Sequence, residues 1–575
     1  MHHIELLSYK RFRRLGTLMA CCLMTFFCLL ICLKPSKCRT ETVETDICIY
    51  GGTSGGVVAA VQVSRMGKTA VIIEPGRHLG GMTASGLSWT DVGTSERVRA
   101  IGGIAREVYE RIGTHYGQKP GTAFESPVSD HDAERKGYDF PKPPSLSFEP
   151  KVAEAVFLSM TKDTRTRVHF GQRLKSVRKD SGRIQQIVTE DGMVIRASMF
   201  IDATYEGDLM AMSGVSYTVG REANSRYGET VNGVQGPASN ARSGKFVMPP
   251  NPYLVADDPS SGILPYLLQS EELGEIGSAD KRVQSYNYRV CLTDDPANRI
   301  PIAPPEDYDA SKFELLARWI ETRAAAGHRL TLRDFLKYDP LQNRKYDFNN
   351  RWAISTDFIG GAHLYPEADA AGRKRIAKAH ENYLRGLFHF LASSPRVPTA
   401  VRDEMSRFGV CRDEFTDNGG WPHQLYVREA RRMISDFVMT EDHCSGKHAA
   451  PNSIAMGAYG IDMHAVRRIV YNGQPINEGT NSCTVPAPYP ISYGAIVPKA
   501  SECENLFVTF ALSASHVAFG SIRMEPVFMI VSQSAATAAC LAAEKNVAAQ
   551  ALDYEQLKQR LLADKQVLTI SKPDR

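Results

Sequence analysis

The chain has 575 residues, enough for two to four domains with substantial cores. Its formal net charge of +4 is small for that length, and no Lys/Arg run follows the N-terminus, which excludes an electrostatic nucleic-acid binder. None of the 12 cysteines forms a CxxC pair, so a structural zinc knuckle is excluded and no metal is expected.

Residues 1–38 read as a targeting element. Lys10, Arg11, Arg13 and Arg14 precede an apolar stretch from Leu15 to Leu33, and Lys34-Pro35-Ser36-Lys37 follows it. This is the layout of a signal peptide or signal anchor, and the basic flank predicts that the remainder is exported. Membrane contact is expected only through this segment, if it stays uncleaved. Export permits one or two disulfides among the seven later cysteines, with at least one thiol left free. Cys48 and Cys540 lie on apolar elements and are expected in the core.

Residues 46–74 carry the strongest signal. Asp46-Ile47-Cys48-Ile49-Tyr50 reads as a strand, Gly51-Gly52-Thr53-Ser54-Gly55-Gly56 as a turn, the small residues after it as a helix, and Val71-Ile72-Ile73-Glu74 as a second strand. That order builds a Rossmann dinucleotide site. Gly51 permits the tight turn, Gly56 lets the helix pack close to the sheet, and the first helical amides face a pyrophosphate. Glu74, 18 residues beyond Gly56, is spaced to accept hydrogen bonds from ribose hydroxyls. Thr53 stands where the fingerprint has its second glycine, so the phosphate is expected to tolerate a side chain there.

The loop from Pro75 through Arg77, His78, Gly80, Gly81 and Met82 to Gly86 is too long for a simple turn and suits an elongated ligand. Residues 102–116 read as a helix, Gln118–Pro144 as irregular, and 149–160 as a helix. Short strands follow, with turns at Ser181-Gly182 and Asp191-Gly192, ending in Ile201-Asp202-Ala203-Thr204. Trp, Tyr, Arg, Asn and Pro mark residues 221–484 as an inserted substrate domain, with Arg428-Glu429 opening a helix. Near the C-terminus a strand at 505–509 precedes Ser513 through Pro526, and Pro526 is well placed at the start of an Ala-rich helix.

These segments together resemble the FAD-dependent oxidoreductase family, whose flavin domain is similar to those of glutathione reductase and fumarate reductase. Many members are exported bacterial proteins loosely labelled xanthan-lyase-like. Further resembling blocks are Tyr205-Glu206-Gly207-Asp208, Ser355 through Gly361, and Tyr426 through Met433. The resemblance implies an α/β fold, with a Rossmann-type FAD-binding domain of three-layer ββα architecture and a large inserted α+β substrate domain. The domains then run 44–220, 221–484 and 485–550, with a tail over 551–575. It implies FAD held by Gly51, Gly52, Thr53, Ser54, Gly55, Gly56 and Glu74 at the ADP half. Pro75, Arg77, Gly80, Gly81 and Met82 then follow the pyrophosphate and ribityl chain. The Leu174 backbone matches the position that meets adenine, and Ala203 and Thr204 match the small pair over the pyrophosphate. Ser521, Met524 and Glu525 lead into the helix whose N-terminus faces the flavin. Tyr205 replaces a glycine of many relatives.

A flavin oxidoreductase also needs a proton carrier and a substrate anchor. His516 and Arg523 are the first candidates, and Asp357, His363, Arg428 and Glu429 the second. Asp442-His443-Cys444 and His448 are read as surface clustering. Trp352, Trp421, Tyr288 and Tyr365 suit stacking on a sugar, so the expected reaction is hydride transfer from a sugar or polyol to flavin N5. The alternatives are a reductase or desaturase of an unsaturated acid, and a polysaccharide lyase or glycan-binding protein with a structural flavin fold. The electron acceptor stays open.

Overall fold

A computed structural model describes residues 41–91, 95–124, 143–237, 245–268 and 272–570. The targeting stretch and most of the passage read as irregular lie outside the described residues. In chain order come β1 (Thr42–Tyr50), α1 (Ser54–Arg65), β2 (Ala70–Glu74), α2 (Gly103–His115), α3 (Pro150–Lys162) and β3 (Arg167–Phe170). A meander follows: β4 (Leu174–Asp180), β5 (Arg183–Thr189) and β6 (Val194–Asp202). The sheet runs β3-β2-β1-β6 in parallel. The start of β6 pairs antiparallel with β5, which carries β4.

Alternation along these strands separates two faces. Ile47, Ile49 and Ile72 join the core beneath the helices, whereas Cys48, Tyr50, Val71 and Ile73 pack with Ile184, Ile187 and Ile195 of the meander region. The result is helices, parallel sheet and meander in three layers. Both faces of β1 are covered, so its last four residues are all buried.

Thr53 accounts for the departure from the glycine fingerprint. Its hydroxyl caps α1 by accepting from the Gly56 amide at 3.1 Å and donates to the Ala203 carbonyl at 2.8 Å. Its hydroxyl is engaged with Ala203 and Gly56. Thr53→Ala should cost about 1 kcal/mol through the lost cap, read as a lower denaturant midpoint, whereas Thr53→Gly should cost only a few tenths.

The inserted region contains β7 (Val290–Thr293), β8 (Arg299–Ile300), α4 (Glu314–Ala325), β9 (Lys337–Pro340), β10 (Lys345–Asn349), α5 (Ala370–Ser393) and β11 (Gly409–Cys411). Its strands form an antiparallel five-stranded sheet in the order β9-β10-β7-β11-β8. The helix read at Arg428-Glu429 does not form. Arg431–Met433 is instead a strand paired with Tyr217–Val219. The extended backbone before it sends Arg428 and Glu429 to different partners, which one helical face would not allow.

The chain then returns to the first domain. β12 (Leu506–Val508) pairs parallel with the end of β6. It is followed by α6 (His516–Ile522) and α7 (Glu525–Lys545). α7 is apolar and long enough to cross a membrane, yet it is buried in the protein. Its small residues let it lie against α1, where Gln533 donates to Gln62 at 3.2 Å. The seven described cysteines are free thiols, so none of the permitted disulfides forms among them, and Cys48 and Cys540 are buried.

Candidate functional site

The glycine turn joins β1 to α1 at one end of a cleft of about 720 Å³, lined by Tyr50, Gly51, Thr53, Glu74, Leu174 and Thr204 among others. Gly51 has φ +103°, and a Cβ there would come within 2.8 Å of the Ala203 carbonyl oxygen. A Cβ on Gly56 would overlap the Gly51 carbonyl oxygen. Both glycines are therefore required by the close approach of backbone to backbone. The Ser54 and Gly55 amides open α1, ahead of any intrahelical acceptor, as the donors a pyrophosphate takes.

Glu74 ends β2 beside this turn. Its carboxylate accepts from the Gly52 amide at 2.5 Å and from the Gly76 amide. Burial pushes the Glu74 carboxyl up to about 7 against those two amides. Pro75 also lines the cleft, and Arg77 is exposed beyond its lining. Leu174 lines it too, and its amide donates to the Tyr50 hydroxyl at 3.1 Å. Thr204 Oγ1 donates to Asp202 at 2.6 Å, which fixes the small pair after β6.

The glycine-rich loop is tied back at several points. The Gly80 amide donates to the Gly52 carbonyl at 2.8 Å, and Gly80 and Gly81 have φ of +98° and +52°. The Met82 amide donates to the Tyr205 hydroxyl at 2.8 Å, which in turn donates to Glu525 Oε1 at 2.7 Å. Glu525 Oε2 accepts from Ser54 Oγ at 2.6 Å and Thr83 Oγ1 at 2.7 Å. Tyr205 thus joins the loop to the start of α7, where a glycine could not. Burial raises the Glu525 carboxyl against its three hydroxyl donors. Met524 immediately precedes α7. The Ser521 hydroxyl points elsewhere, accepting from Tyr489 and donating to the Tyr459 carbonyl, each at 2.6 Å.

The far wall of the cleft includes Tyr288 and Leu425. The next residue, Tyr426, accepts from Arg523 Nη1 at 2.6 Å. Arg523 Nη2 lies 3.0 Å from Asp462 Oδ2, and Asp462 Oδ2 lies 3.1 Å from His464 Nε2. His464 Nδ1 is 2.6 Å from Asp357 Oδ2, and Asp357 Oδ1 is 2.9 Å from Arg428 Nη2. One continuous string therefore runs Tyr426, Arg523, Asp462, His464, Asp357, Arg428. Burial opposes ionisation of Asp357, but Arg428 and His464 hold its carboxyl below the usual range.

The string borders a cavity of about 20 Å³ lined by Asn350, Trp352, Asp357, Asp462, His464 and Thr480, among others. Among the described residues, Thr480 Oγ1, Arg523 Nε and Arg428 Nε are buried with no hydrogen-bond partner. Trp352 takes φ +59° at this wall, a backbone conformation that costs a bulky residue roughly 1–3 kcal/mol.

His516 opens α6 in a second buried network. Its Nδ1 lies 2.7 Å from Glu429 Oε2, while Arg432 Nε donates to Glu429 Oε1 at 2.9 Å. Burial works against the Glu429 charge, but His516 and Arg432 hold its carboxyl below its usual value.

Asp357 and Arg428 thus join Arg523, and Glu429 joins His516. His363 joins neither, its Nε2 lying 2.8 Å from the Val466 carbonyl. Asp442 pairs with Lys447 at 2.8 Å, and His443 caps its own short helix at Thr440. Sequence reasoning missed His464 and Asp462. Their spacing of two puts both on one side of an extended segment, a signal too common to single them out.

A family model described as FAD dependent oxidoreductase matches residues 46–561. Among curated proteins, none matches the chain. Solved structures with partial likeness include L-proline dehydrogenase from P. horikoshii, at 16% identity and TM-score 0.24 over 32% of this chain and 59% of that one. L-amino acid deaminase from Proteus vulgaris is similar at 15% identity and TM-score 0.22, over 31% and 52% of the two chains. OxyS anhydrotetracycline hydroxylase from Streptomyces rimosus is similar at 12% identity and TM-score 0.23, over 32% and 36%. The chain therefore spans between about a third and three fifths of the solved structures it matches.

Proposed function

Because the chain belongs to the FAD-dependent oxidoreductase family, we propose that it oxidises a neutral hydroxyl-bearing substrate, a sugar or polyol. FAD, when bound, supplies the hydride acceptor. Gly51 through Gly56 and Glu74 would hold its ADP half, and the Met82–Tyr205–Glu525 link would brace the loop beside it.

Charge balance around the string carries the substrate reading. Arg428 faces Asp357 and Arg523 faces Asp462, so each arginine already has its carboxylate. An anionic substrate would have to compete with both. A neutral hydroxyl needs no free cation, only a partner for its oxygen and a sink for its proton. The unpartnered Thr480 hydroxyl supplies the first at a cavity sized for one water or one hydroxyl group. His464 supplies the second. Its Nδ1 is braced by Asp357 at 2.6 Å, and its Nε2 lies at the cavity beside Asp462. The reductase or desaturase of an unsaturated acid is disfavoured by the same balance.

The basic and apolar N-terminal stretch supports an exported site of action. Anaerobic mixing of the yellow protein with a panel of sugars and polyols tests the reading. Bleaching of the flavin band by one of them is the expected result. No bleaching by any sugar or polyol, with depolymerisation of a glycan at unchanged flavin colour, would instead support a lyase with a structural flavin. Reoxidation of chemically reduced protein by an unsaturated acid would favour the reductase.

A further inference from the structure

Two neighbouring strands of the inserted sheet each carry a buried cysteine. Cys291 lies on β7, and Cys411 ends β11. The strands are antiparallel, with Gly409 opposite Thr293 and Val410 opposite Leu292. The same register puts Cys411 opposite Cys291, and opposite residues of an antiparallel pair share a face. Both side chains are fully buried in one small apolar cluster with Trp89, Leu341 and Phe415. Cys411 Sγ lies 3.6 Å from the Cys291 carbonyl oxygen, and the two thiols hydrogen-bond each other. Both are free thiols in this structure. We propose that Cys291 and Cys411 are a disulfide-forming pair, closed when the chain folds in the presence of a disulfide oxidant.

The backbone already supplies the spacing. Residues that face each other across an antiparallel ladder have Cα atoms about 4.5–5.5 Å apart, within the roughly 4.4–6.8 Å that a disulfide spans. Cys483 and Cys503 differ, because their thiols face the side-chain oxygens of Asn481 and Asn505, at 3.6 and 3.8 Å. The surroundings also set when the bond can form. The hydrogen bond with Cys411, burial and the nearby Glu414 hold the Cys291 thiol well above its usual range, and the Lys345 ammonium opposes them only in part. A thiol of that kind supplies little thiolate, so the packed pair is inert and the bond closes before the sheet is buried.

The step is thiol–disulfide exchange with a small disulfide such as oxidised glutathione. One cysteine thiolate attacks the glutathione disulfide, which gives a mixed disulfide and releases one glutathione thiolate. The second cysteine thiolate attacks the mixed disulfide, the Cys291–Cys411 bond forms and the second glutathione leaves. Two electrons pass to the glutathione disulfide, and the two cysteine protons end on the released glutathione thiols. The bond joins residues 120 apart in the chain. It ties β7 to β11, while β10 on the other side of β7 carries Asp347, which accepts from the Ser88 and Trp89 amides at 3.2 and 3.0 Å. The sheet that is stapled is therefore the one against which the chain leaving the glycine-rich loop rests.

Full-length, FAD-loaded protein isolated from cells with an oxidising cytoplasm tests the pair, with protein from a reducing cytoplasm as the reference. Free thiols are blocked by alkylation and the chain is digested without reduction. Mass spectrometry should find the peptides carrying Cys291 and Cys411 joined in most molecules of the oxidised preparation, and separate in the reference. The oxidised protein should melt on the order of 5 °C above the reference, and that shift should vanish in Cys411→Ala. Recovery of both cysteines alkylated in most oxidised molecules, or joined to other cysteines, would overturn the pairing. A shift of unchanged size in Cys411→Ala would overturn it as the source of the added stability. Should Cys411→Ala fail to fold, the peptide map of the wild-type chain decides alone. None of these results bears on flavin bleaching, so this proposal and the oxidase reading fail separately.

Discussion

Replacing Gly56 with Leu should leave the protein with less than about a tenth of the wild-type FAD content. A Cβ at this position already overlaps the Gly51 carbonyl oxygen, before the rest of a leucine is added. That oxygen cannot retreat, because Gly51 itself sits against Ala203 and Thr204 on the other side, and its amide donates to the Ile73 carbonyl at 2.9 Å. Relief requires α1 to slide along the sheet, and α1 is held from behind by α7. The amides of Ser54 and Gly55 move with it, away from where they would meet a bound pyrophosphate. The ratio of flavin to protein absorbance after gel filtration reads the outcome, with far-UV circular dichroism reporting on the fold. Wild-type flavin content in a folded G56L protein would refute the packing argument. Gly56→Ala carries the same clash with less bulk and should be impaired in the same direction.

If the proposed reading holds, His464→Gln should lower kcat by roughly 10²- to 10⁴-fold while FAD content stays at the wild-type level, because the proposed proton carrier is lost and the FAD-contacting segments are left intact. This substitution is more informative than removing Asp357. Asp357→Asn would leave Arg428 buried beside a neutral amide, a change that typically costs about 3–5 kcal/mol when a buried pair is broken. A loss of activity there would be confused with a loss of fold. Glutamine at 464 keeps a donor and an acceptor between Asp357 and Asp462 but cannot carry the proton. A kcat within about threefold of wild type would remove His464 from the reaction.

The inserted region shows why the charged residues were harder to read than the glycines. Arg428 and Glu429 look like a pair on a helix, yet one meets Asp357 and the other meets His516. Their partners come from positions far along the chain, and no spacing in the sequence points to them. His363 shows the converse, a plausible histidine whose Nε2 meets the Val466 backbone carbonyl. Ser521 leads into the helix expected to face the cofactor, yet its hydroxyl meets Tyr489 and the Tyr459 carbonyl.

The sequence by itself determined the α/β class, the Rossmann start and the membership in a flavoenzyme family. Each depends on consecutive residues: two apolar strands, a turn that tolerates no Cβ at Gly51 or Gly56, and an acid at the end of β2. Local backbone geometry enforces such features wherever the rest of the chain goes. Only the tertiary structure decided that Thr53 turns inward, that Tyr205 joins the loop to Glu525, and that His464 lies between Asp357 and Asp462. Those contacts close over long loops, so they are chosen by which buried charges and hydroxyls find partners when the layers pack. That selection leaves no periodic trace in the order of the residues.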